Sequence, residues 1–227
     1  MKIMAIKQAR FIALFDVDEL IPSGLVSMSR IAPMISKRFE FQKYSAPREE
    51  EREGKSKGFE FFDGIWDDGT PVQRLAIFND GIIIETRIST SRSKEILIAS
   101  LEWAEGEFGV HASSDIMRRL RYLSVLSFQS EAPILGFGSA LSNIADRMST
   151  AMASITGQER RYSGTRIDID FDRSSGKEPI ASLTIQTLAL EPSESHRYYS
   201  QAPLPTDEHI SLLEKFEADV LGSFSAR

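Results

Sequence analysis

The chain contains 227 residues, of which 33 are acidic, 27 are basic and none is cysteine, and its formal net charge is -6. This length fits one large domain or two small ones. The lack of cysteine excludes a disulfide scaffold, a thiol nucleophile and a thiolate metal site. The acidic balance disfavours a broad basic face for phosphate groups, while leaving room for a local basic patch.

No segment of the sequence is predicted to target or span a membrane. The apolar run at residues 11–15 ends at Asp16, so it is shorter than the roughly 7–15 apolar residues of a secretory leader. No run approaches the roughly 20 apolar residues that a membrane helix needs. We therefore expect a soluble cytoplasmic protein.

The first half of the chain alternates between strand-like and helix-like patterns. Period-two alternation at Phe39 and Phe41 predicts a strand with one wet face, and Pro33 predicts a stop or kink in the helix before it. The Asn-Asp-Gly sequence at residues 79–81 predicts a tight hairpin, and Ser93 is the predicted cap of the next helix. The predicted elements are a strand over residues 10–17, a helix over 23–36, strands over 38–44 and 59–66 around an exposed charged loop over 45–58, a turn over 67–71, strands over 74–78 and 82–88, and a helix over 93–108.

A similar pattern recurs in the second half. A helix is predicted over residues 139–155, and its apolar residues recur at helical spacing, which predicts one buried stripe. That stripe consists of Leu141, Ile144, Met148, Met152 and Ile155. On the last helix, His209 lies beside Glu208 and is predicted at the surface. The other predicted elements are a strand over residues 119–128, a break over 133–138, strands over 165–172 and 181–190, a short edge strand at Tyr198-Tyr199, and a helix over 207–224.

The two halves suggest an internal duplication. Their opening strands are offset by roughly 111 positions and their closing helices by about 112, and a common offset at both ends is what a duplication predicts. An αβ chain of this length can also offer two such units by chance. In either case, hairpins separated by helices predict an α+β fold. We expect one compact domain in which two β-α-β-β-α-type halves, residues 1–112 and 113–227, form a curved, mainly antiparallel sheet with helices on one face.

One family resemblance follows from this layout. The hairpin over residues 73–87 precedes an amphipathic helix, and Arg118-Arg119-Leu120-Arg121-Tyr122-Leu123 starts a new strand. In this the chain resembles a sporadically distributed, uncharacterised bacterial family with tandem TATA-binding-protein-like units. The resemblance covers most of the chain as layout rather than as specific motifs, and the charged loop and the long helix of the second half depart from it. It implies a saddle-like fold, but no activity and no site residues.

Asp16 and Asp18 raise the question of an enzyme. An apolar strand followed by Asp, any residue and Asp is similar to the phosphatase pattern in which the first Asp attacks phosphorus and the second handles the leaving-group proton. The Gly-Thr expected next is replaced by Glu19-Leu20. A strand end with two solvated acids explains the pair as well, so a metal-dependent phosphohydrolase is only an alternative hypothesis.

Three carboxylates form a second candidate site. Asp168, Asp170 and Asp172 share one face of a predicted strand, about 7 Å apart, and could together hold Mg²⁺ or Mn²⁺. A solvated sheet face on which Arg161 or Arg166 offsets the charge explains the same pattern. The sequence implies no other cofactor.

Basic and aromatic residues give the candidate binding surfaces. Arg119 and Arg121 form a basic spot beside Tyr122, and Tyr198 and Tyr199 lie in the polar segment before the last helix. We interpret these residues as parts of a surface that recognises a protein partner through an open sheet face. The alternative is nucleic-acid binding through a concave saddle, which requires Arg and Lys to converge on one sheet face. The sequence leaves the oligomeric state open.

Overall fold

A computed structural model describes residues 1–15, 20, 28–46, 58–111, 119–136, 138–170, 181–189, 191 and 195–225. Helices and strands alternate along the described chain much as predicted. They are β1 (Lys2–Leu14), α1 (Met28–Arg38), β2 (Lys43–Ser45), β3 (Gly58–Ile65), β4 (Pro71–Phe78), β5 (Gly81–Thr86), α2 (Thr90–Phe108), β6 (Arg119–Gln129), α3 (Gly138–Thr156), β7 (Arg166–Ile169), β8 (Leu183–Thr187), β9 (Arg197–Ala202) and α4 (Thr206–Ser225).

The described strands form one sheet in the order β2-β3-β4-β5-β1-β6-β9-β8-β7. The pairs β1–β5, β2–β3, β3–β4, β4–β5, β7–β8 and β8–β9 are all antiparallel. The predicted α+β class with a mainly antiparallel sheet is therefore confirmed. Within the first half the strand order is β2-β3-β4-β5-β1, and within the second half it is β6-β9-β8-β7.

The chain divides into two compact units. The N-terminal unit comprises Ile6–Ser124 and Pro203–Asp207, and the C-terminal unit comprises Met1–Ala5, Val125–Ala202 and Glu208–Arg227. Each unit thus takes a short segment from the other half of the sequence, because both central strands start in one unit and end in the other.

The core of the N-terminal unit lies between its strands and the helices α1 and α2. Phe11 of β1 is paired with Ile84 of β5, and Ile84 is paired in turn with Leu75 of β4, so these side chains share one sheet face. All three are at most 4% exposed. They cluster with Ile31 and Leu97 from the two helices. Apolar side chains on alternate strand positions therefore produce a single buried layer, with both helices on the same side.

The strand predicted over residues 38–44 is largely wrong. The helix α1 continues through Pro33 to Arg38, and strand pairing begins only at Lys43. The backbone amide of Phe41 donates to the carbonyl of Ser36 over 2.9 Å, and Glu40 has a positive φ of 50°. This is the left-handed termination that closes many helices. The alternation of Phe39 and Phe41 therefore belongs to a turn after the helix and not to a strand. Both side chains are buried.

The hairpin predicted at residues 79–81 is confirmed, with Phe78 paired to Gly81 across the turn. Gly81 itself is required, because a Cβ at this position would lie 2.4 Å from the carbonyl oxygen of Ala13. The predicted cap at Ser93 is wrong. The helix α2 begins three residues earlier and is capped by Ser89, whereas the Ser93 hydroxyl is buried and donates to the carbonyl of Ala9 over 2.7 Å.

In the C-terminal unit, β9 is an interior strand between β6 and β8, so the predicted edge strand at Tyr198-Tyr199 is wrong. Tyr198 packs its ring 5.6 Å from that of Phe128 on β6. The helix α4 packs over the same face of the sheet, where Leu213 is 1% exposed. The strand β7 lies at the sheet edge and pairs with β8 through Arg166–Ile169. The charged loop predicted over residues 45–58 falls mostly outside the described residues.

Candidate protein-binding surfaces

The sheet face of the N-terminal unit that is turned away from its helices carries charges in opposite-sign pairs. Arg10 donates to Glu85 over 2.9 Å, and Arg74 donates to Glu60 over 2.9 Å. Arg10 is the direct cross-strand partner of Glu85, which is also the direct partner of Arg74. Carboxylates thus alternate with guanidinium groups across four strands. The four side chains are between 16% and 30% exposed. This arrangement neutralises the face locally.

Two of the predicted binding residues lie on β6 in the same unit. Tyr122 contacts the ring of Phe11 in the core, so Arg121, its neighbour along the strand, projects to the opposite, helix-free face. Arg121 is half-buried and donates to the carbonyl of Leu120 over 3.1 Å. Arg119, two positions earlier, is exposed on that face. Both arginines therefore lie on the open face, but beside a set of paired charges rather than within a basic patch.

The open face of the C-terminal unit is polar. Asp168 of β7 accepts two hydrogen bonds from Arg166, 2.6 and 2.8 Å long, and one from Thr184 of β8 over 2.7 Å. These hydrogen bonds hold the pKa of Asp168 below its usual range, the Arg166 contribution being the largest. Thr184 is in turn paired with Gln201 of β9. Hydroxyl and amide groups on this face thus surround the ion pair of Arg166 with Asp168.

Tyr198 and Tyr199 are separated by the sheet. Tyr198 is 3% exposed and lies on the helix side, where burial raises the pKa of its phenol and a backbone hydrogen bond with Ile134 opposes that rise. Tyr199 lies on the open side, and its hydroxyl is 3.4 Å from Oε1 of Gln201. The two tyrosines therefore belong to two different surfaces, as adjacent residues of a strand do.

Two of the three predicted metal ligands form hydrogen bonds with other side chains of the C-terminal unit. Asp168 is engaged by Arg166 and Thr184, and Asp170 accepts from the hydroxyl of Ser182 over 3.1 Å. Asp172, like Asp16 and Asp18, lies outside the described residues. Within the described residues, no three His, Cys, Asp or Glu side chains are grouped so that they could hold a metal ion.

A buried Ser–His pair lies in the C-terminal unit, and the prediction of a surface position for His209 is wrong. His209 is 0% exposed and its Nε2 lies 2.8 Å from Oγ of Ser200, which donates its own proton to the carbonyl of Thr184 over 2.9 Å. The hydroxyl of Ser200 can then only accept, so Nε2 carries the proton. Because both side chains are fully buried, the pair stabilises the packing of α4 on the sheet and is closed to a substrate.

The surface that stands out is the apolar stripe of α3, which the sequence predicts as core. It is exposed instead: Leu141 by 55%, Ile144 by 62% and Met148 by 47%. Ile155, near the end of the helix, is 77% exposed. An amphipathic helix normally buries such a stripe, and a contiguous exposed one marks an interaction site. We call these residues together with Met152 the α3 stripe.

A groove runs between the α3 stripe and the rest of the C-terminal unit, and its volume is about 710 Å³. The helix supplies one wall with Leu141, Ile144 and Met148. The opposite wall includes Tyr162, which is tied to α3 by a hydrogen bond of 2.9 Å from its backbone amide to Oγ of Ser149, and the buried Tyr198. The groove is therefore a mainly apolar concavity whose two walls are joined by a hydrogen bond.

The N-terminal unit shows how the same position in the layout can be closed. Its helix α1 also follows the first strand of its half, and there Ile31 and Ile35 are only 7% and 6% exposed. Phe39 and Phe41, from the turn that follows α1, join the core that covers them. The difference is partly visible in the sequence, since the segment after α3, residues 157–165, contains Tyr162 but no pair of apolar aromatics.

No protein-family model matches the chain, and no curated protein matches it significantly. Among the described helices, none is long and apolar enough to cross a membrane.

Proposed function

We propose that this chain is a non-catalytic recognition module that binds a protein partner. The observation that carries the proposal is the exposed α3 stripe over its groove. Four large apolar side chains project from one helix face at exposures of 47% to 77%, and a groove of about 710 Å³ lies against three of them. A partner with an apolar, elongated segment matches this surface, because grooves of this kind accept amphipathic helices.

The open sheet face remains the second candidate surface for the same function. In the N-terminal unit it combines paired charges such as Arg10 with Glu85 and half-buried apolar residues such as Ile12 and Ile83. A locally neutral face of mixed polarity is typical of protein–protein contacts. We rank it behind the α3 stripe, because its charges already have partners in the chain.

Nucleic-acid binding is the alternative, and Arg119 and Arg121 are its support, since both lie on the open face of β6. A phosphate backbone needs cations that converge without nearby carboxylates. On the same face Glu85 and Glu60 offset Arg10 and Arg74. A gel shift with duplex and single-stranded DNA at low salt tests this alternative, and a salt-sensitive shift that is lost in an Arg119→Ala/Arg121→Ala variant would favour it over protein recognition.

A photo-crosslinker placed at position 144 tests the proposal in native cells. Ile144 is 62% exposed on the stripe, whereas Thr150 is exposed on the opposite side of the same helix. We expect a benzophenone amino acid at position 144 to give a discrete protein adduct and the same group at position 150 to give none. The lack of any protein adduct at position 144, in a variant that folds normally, would reject the α3 stripe as a recognition surface.

A further inference from the structure

The apolar residues of the α3 stripe are spaced symmetrically along the helix. Counted from Met148, Ile144 and Met152 lie four residues before and after, and Leu141 and Ile155 lie seven residues before and after. Two alanines repeat the symmetry at three residues on each side. At 3.6 residues per turn, all five apolar side chains fall within about 40° of the direction of Met148. The apolar residues therefore occupy the same positions whichever way the helix is followed from Met148.

A two-fold axis through Met148 makes such a stripe self-complementary. In a contact of this kind, each position on one helix meets the position at the same distance on the other side of the axis. Leu141 of one copy then meets Ile155 of the other, Ile144 meets Met152, and Met148 meets itself. Each meeting pairs a large apolar residue with another, so no position places an apolar side chain against a polar one.

The charges of α3 are compatible with this pairing. Its acidic and basic residues, Asp146 and Arg147, project from the helix at about 160° and 100° from Met148, and both are exposed. Asp146 and Arg161 also line the groove, where their charges are of opposite sign. The positions flanking the stripe are Ala145 and Ala151, which permit close approach of two helices. A second copy thus meets no charged residue along the stripe itself.

We propose that the α3 stripe is a homodimer interface, in which α3 of a second copy of this chain lies antiparallel along the stripe, with the two-fold axis at Met148. The inference deepens the proposed function and rests on it, since it names the partner of the α3 stripe. By symmetry, each helix occupies the groove beside the other. The contact extends from Leu141 to Ile155, which is about 21 Å along the axis.

Single cysteines test the arrangement directly, because the natural chain contains none. Met148→Cys places two thiols at the axis and is expected to form a disulfide-linked dimer with a mild oxidant. Thr150→Cys, on the opposite side of α3, is the matched control and is expected to stay monomeric on a non-reducing gel. Equal, slow crosslinking of the two variants would overturn the proposal.

A mixing experiment determines the direction of the helices. Leu141→Cys and Ile155→Cys are each expected to crosslink poorly alone and efficiently when mixed, because the antiparallel contact brings position 141 of one copy to position 155 of the other. Efficient crosslinking of Leu141→Cys with itself would mean a parallel contact and would overturn the two-fold arrangement at Met148.

A charge exchange at the axis separates loss of the interface from misfolding. The wild-type chain is expected to have twice the 25.5 kDa mass of one copy by light scattering at micromolar concentration. Met148→Glu and Met148→Lys each bring like charges together and are expected to be monomeric, whereas their equal mixture is expected to return to the dimer mass. A monomeric wild type, or a mixture that stays monomeric, would overturn the proposal.

The photo-crosslinker at position 144 distinguishes this inference from the proposed function. An adduct at twice the mass of the chain supports both. An adduct with a different protein supports protein recognition and overturns the second copy as the occupant. No adduct overturns both.

Discussion

The folded state is expected to lose stability on acidification through one side chain, His209. Its imidazole is fully buried on α4, and burial lowers the pKa from 6.5 to about 4. The neutral ring donates from Nε2 to Ser200 Oγ, and burial disfavours its charged form. Protonation is therefore easier in the unfolded chain than in the folded one.

The sign and the size follow from linkage. Between pH 6.5 and about pH 4 the unfolded state carries the proton and the folded state does not, so the free energy of unfolding falls as the pH falls through this window. Above it neither state is protonated, and below it both are. One pKa unit corresponds to about 1.36 kcal/mol, so the full loss attributable to His209 is about 3 kcal/mol, a large share of a typical domain stability.

The variant His209→Gln isolates this contribution, because the amide can still donate to Ser200 but does not titrate. Urea unfolding followed by circular dichroism at a series of pH values gives the free energy of unfolding of both proteins. We expect the wild type to lose about 3 kcal/mol more than the variant across the window. His111 and His196 are present in both proteins, so their effects cancel. Parallel curves for the two proteins would refute the buried, neutral imidazole.

Substitutions at four further positions test the packing by urea unfolding. In Thr206→Val the hydroxyl that accepts the backbone amide of Thr90 over 3.0 Å is lost, so the free energy of unfolding should fall by roughly 1–3 kcal/mol, and Thr206→Ser should restore most of it. Gly81→Ala should cost roughly 1–3 kcal/mol, because its Cβ would lie 2.4 Å from a carbonyl oxygen of β1; an unchanged midpoint would contradict that close approach. Leu97→Ala should cost roughly 2–5 kcal/mol, whereas Ile144→Ala should cost less than about 1 kcal/mol where the chain is monomeric, since Leu97 is 0% and Ile144 is 62% exposed. Equal losses would mean that the α3 stripe is packed within its own chain.

Most of the elements could be predicted because their patterns are local. The Asn-Asp-Gly turn between two predicted strands places the β4–β5 hairpin correctly, and the helical spacing places α3 within one residue at each end. Such patterns depend on which side chains share a face, and this is set by the backbone geometry alone. The α+β class follows from the same information.

The failures have tertiary causes. The alternation of Phe39 and Phe41 is that of a strand, but the left-handed Glu40 ends a helix there, and both rings pack into the core from a turn. A surface position is predicted for His209 because it is polar and lies beside Glu208. It lies four residues before Leu213 on the buried face of α4, and a helix face that includes a histidine cannot be recognised by hydropathy.

The buried face of α4 also contains a charged residue, Glu217. It lies four residues after Leu213, is 5% exposed, and accepts hydrogen bonds from the hydroxyl of Ser130 over 2.5 Å and the backbone amide of Glu131 over 2.8 Å. Burial alone raises the pKa of this carboxyl, but the ion pair with the amino group of Met1 and the hydrogen bonds from Ser130 and Glu131 outweigh that effect and lower it. The buried face of α4 therefore includes His209 and Glu217 as well as Leu213, because the residues it packs against offer hydrogen-bond partners as well as apolar surface.

The exposure of the α3 stripe is a property of its surroundings rather than of the helix. By hydropathy α3 is as well suited to a core as α1, yet of these two helices only α1 is followed by a pair of apolar aromatic residues, Phe39 and Phe41, that close the space beside it. A helix of 19 residues gains little stability from propensity alone and depends on a packed face. Since the described residues supply only part of that face to α3, the proposed second copy, whose stripe is also symmetric about Met148, would supply the remaining cover.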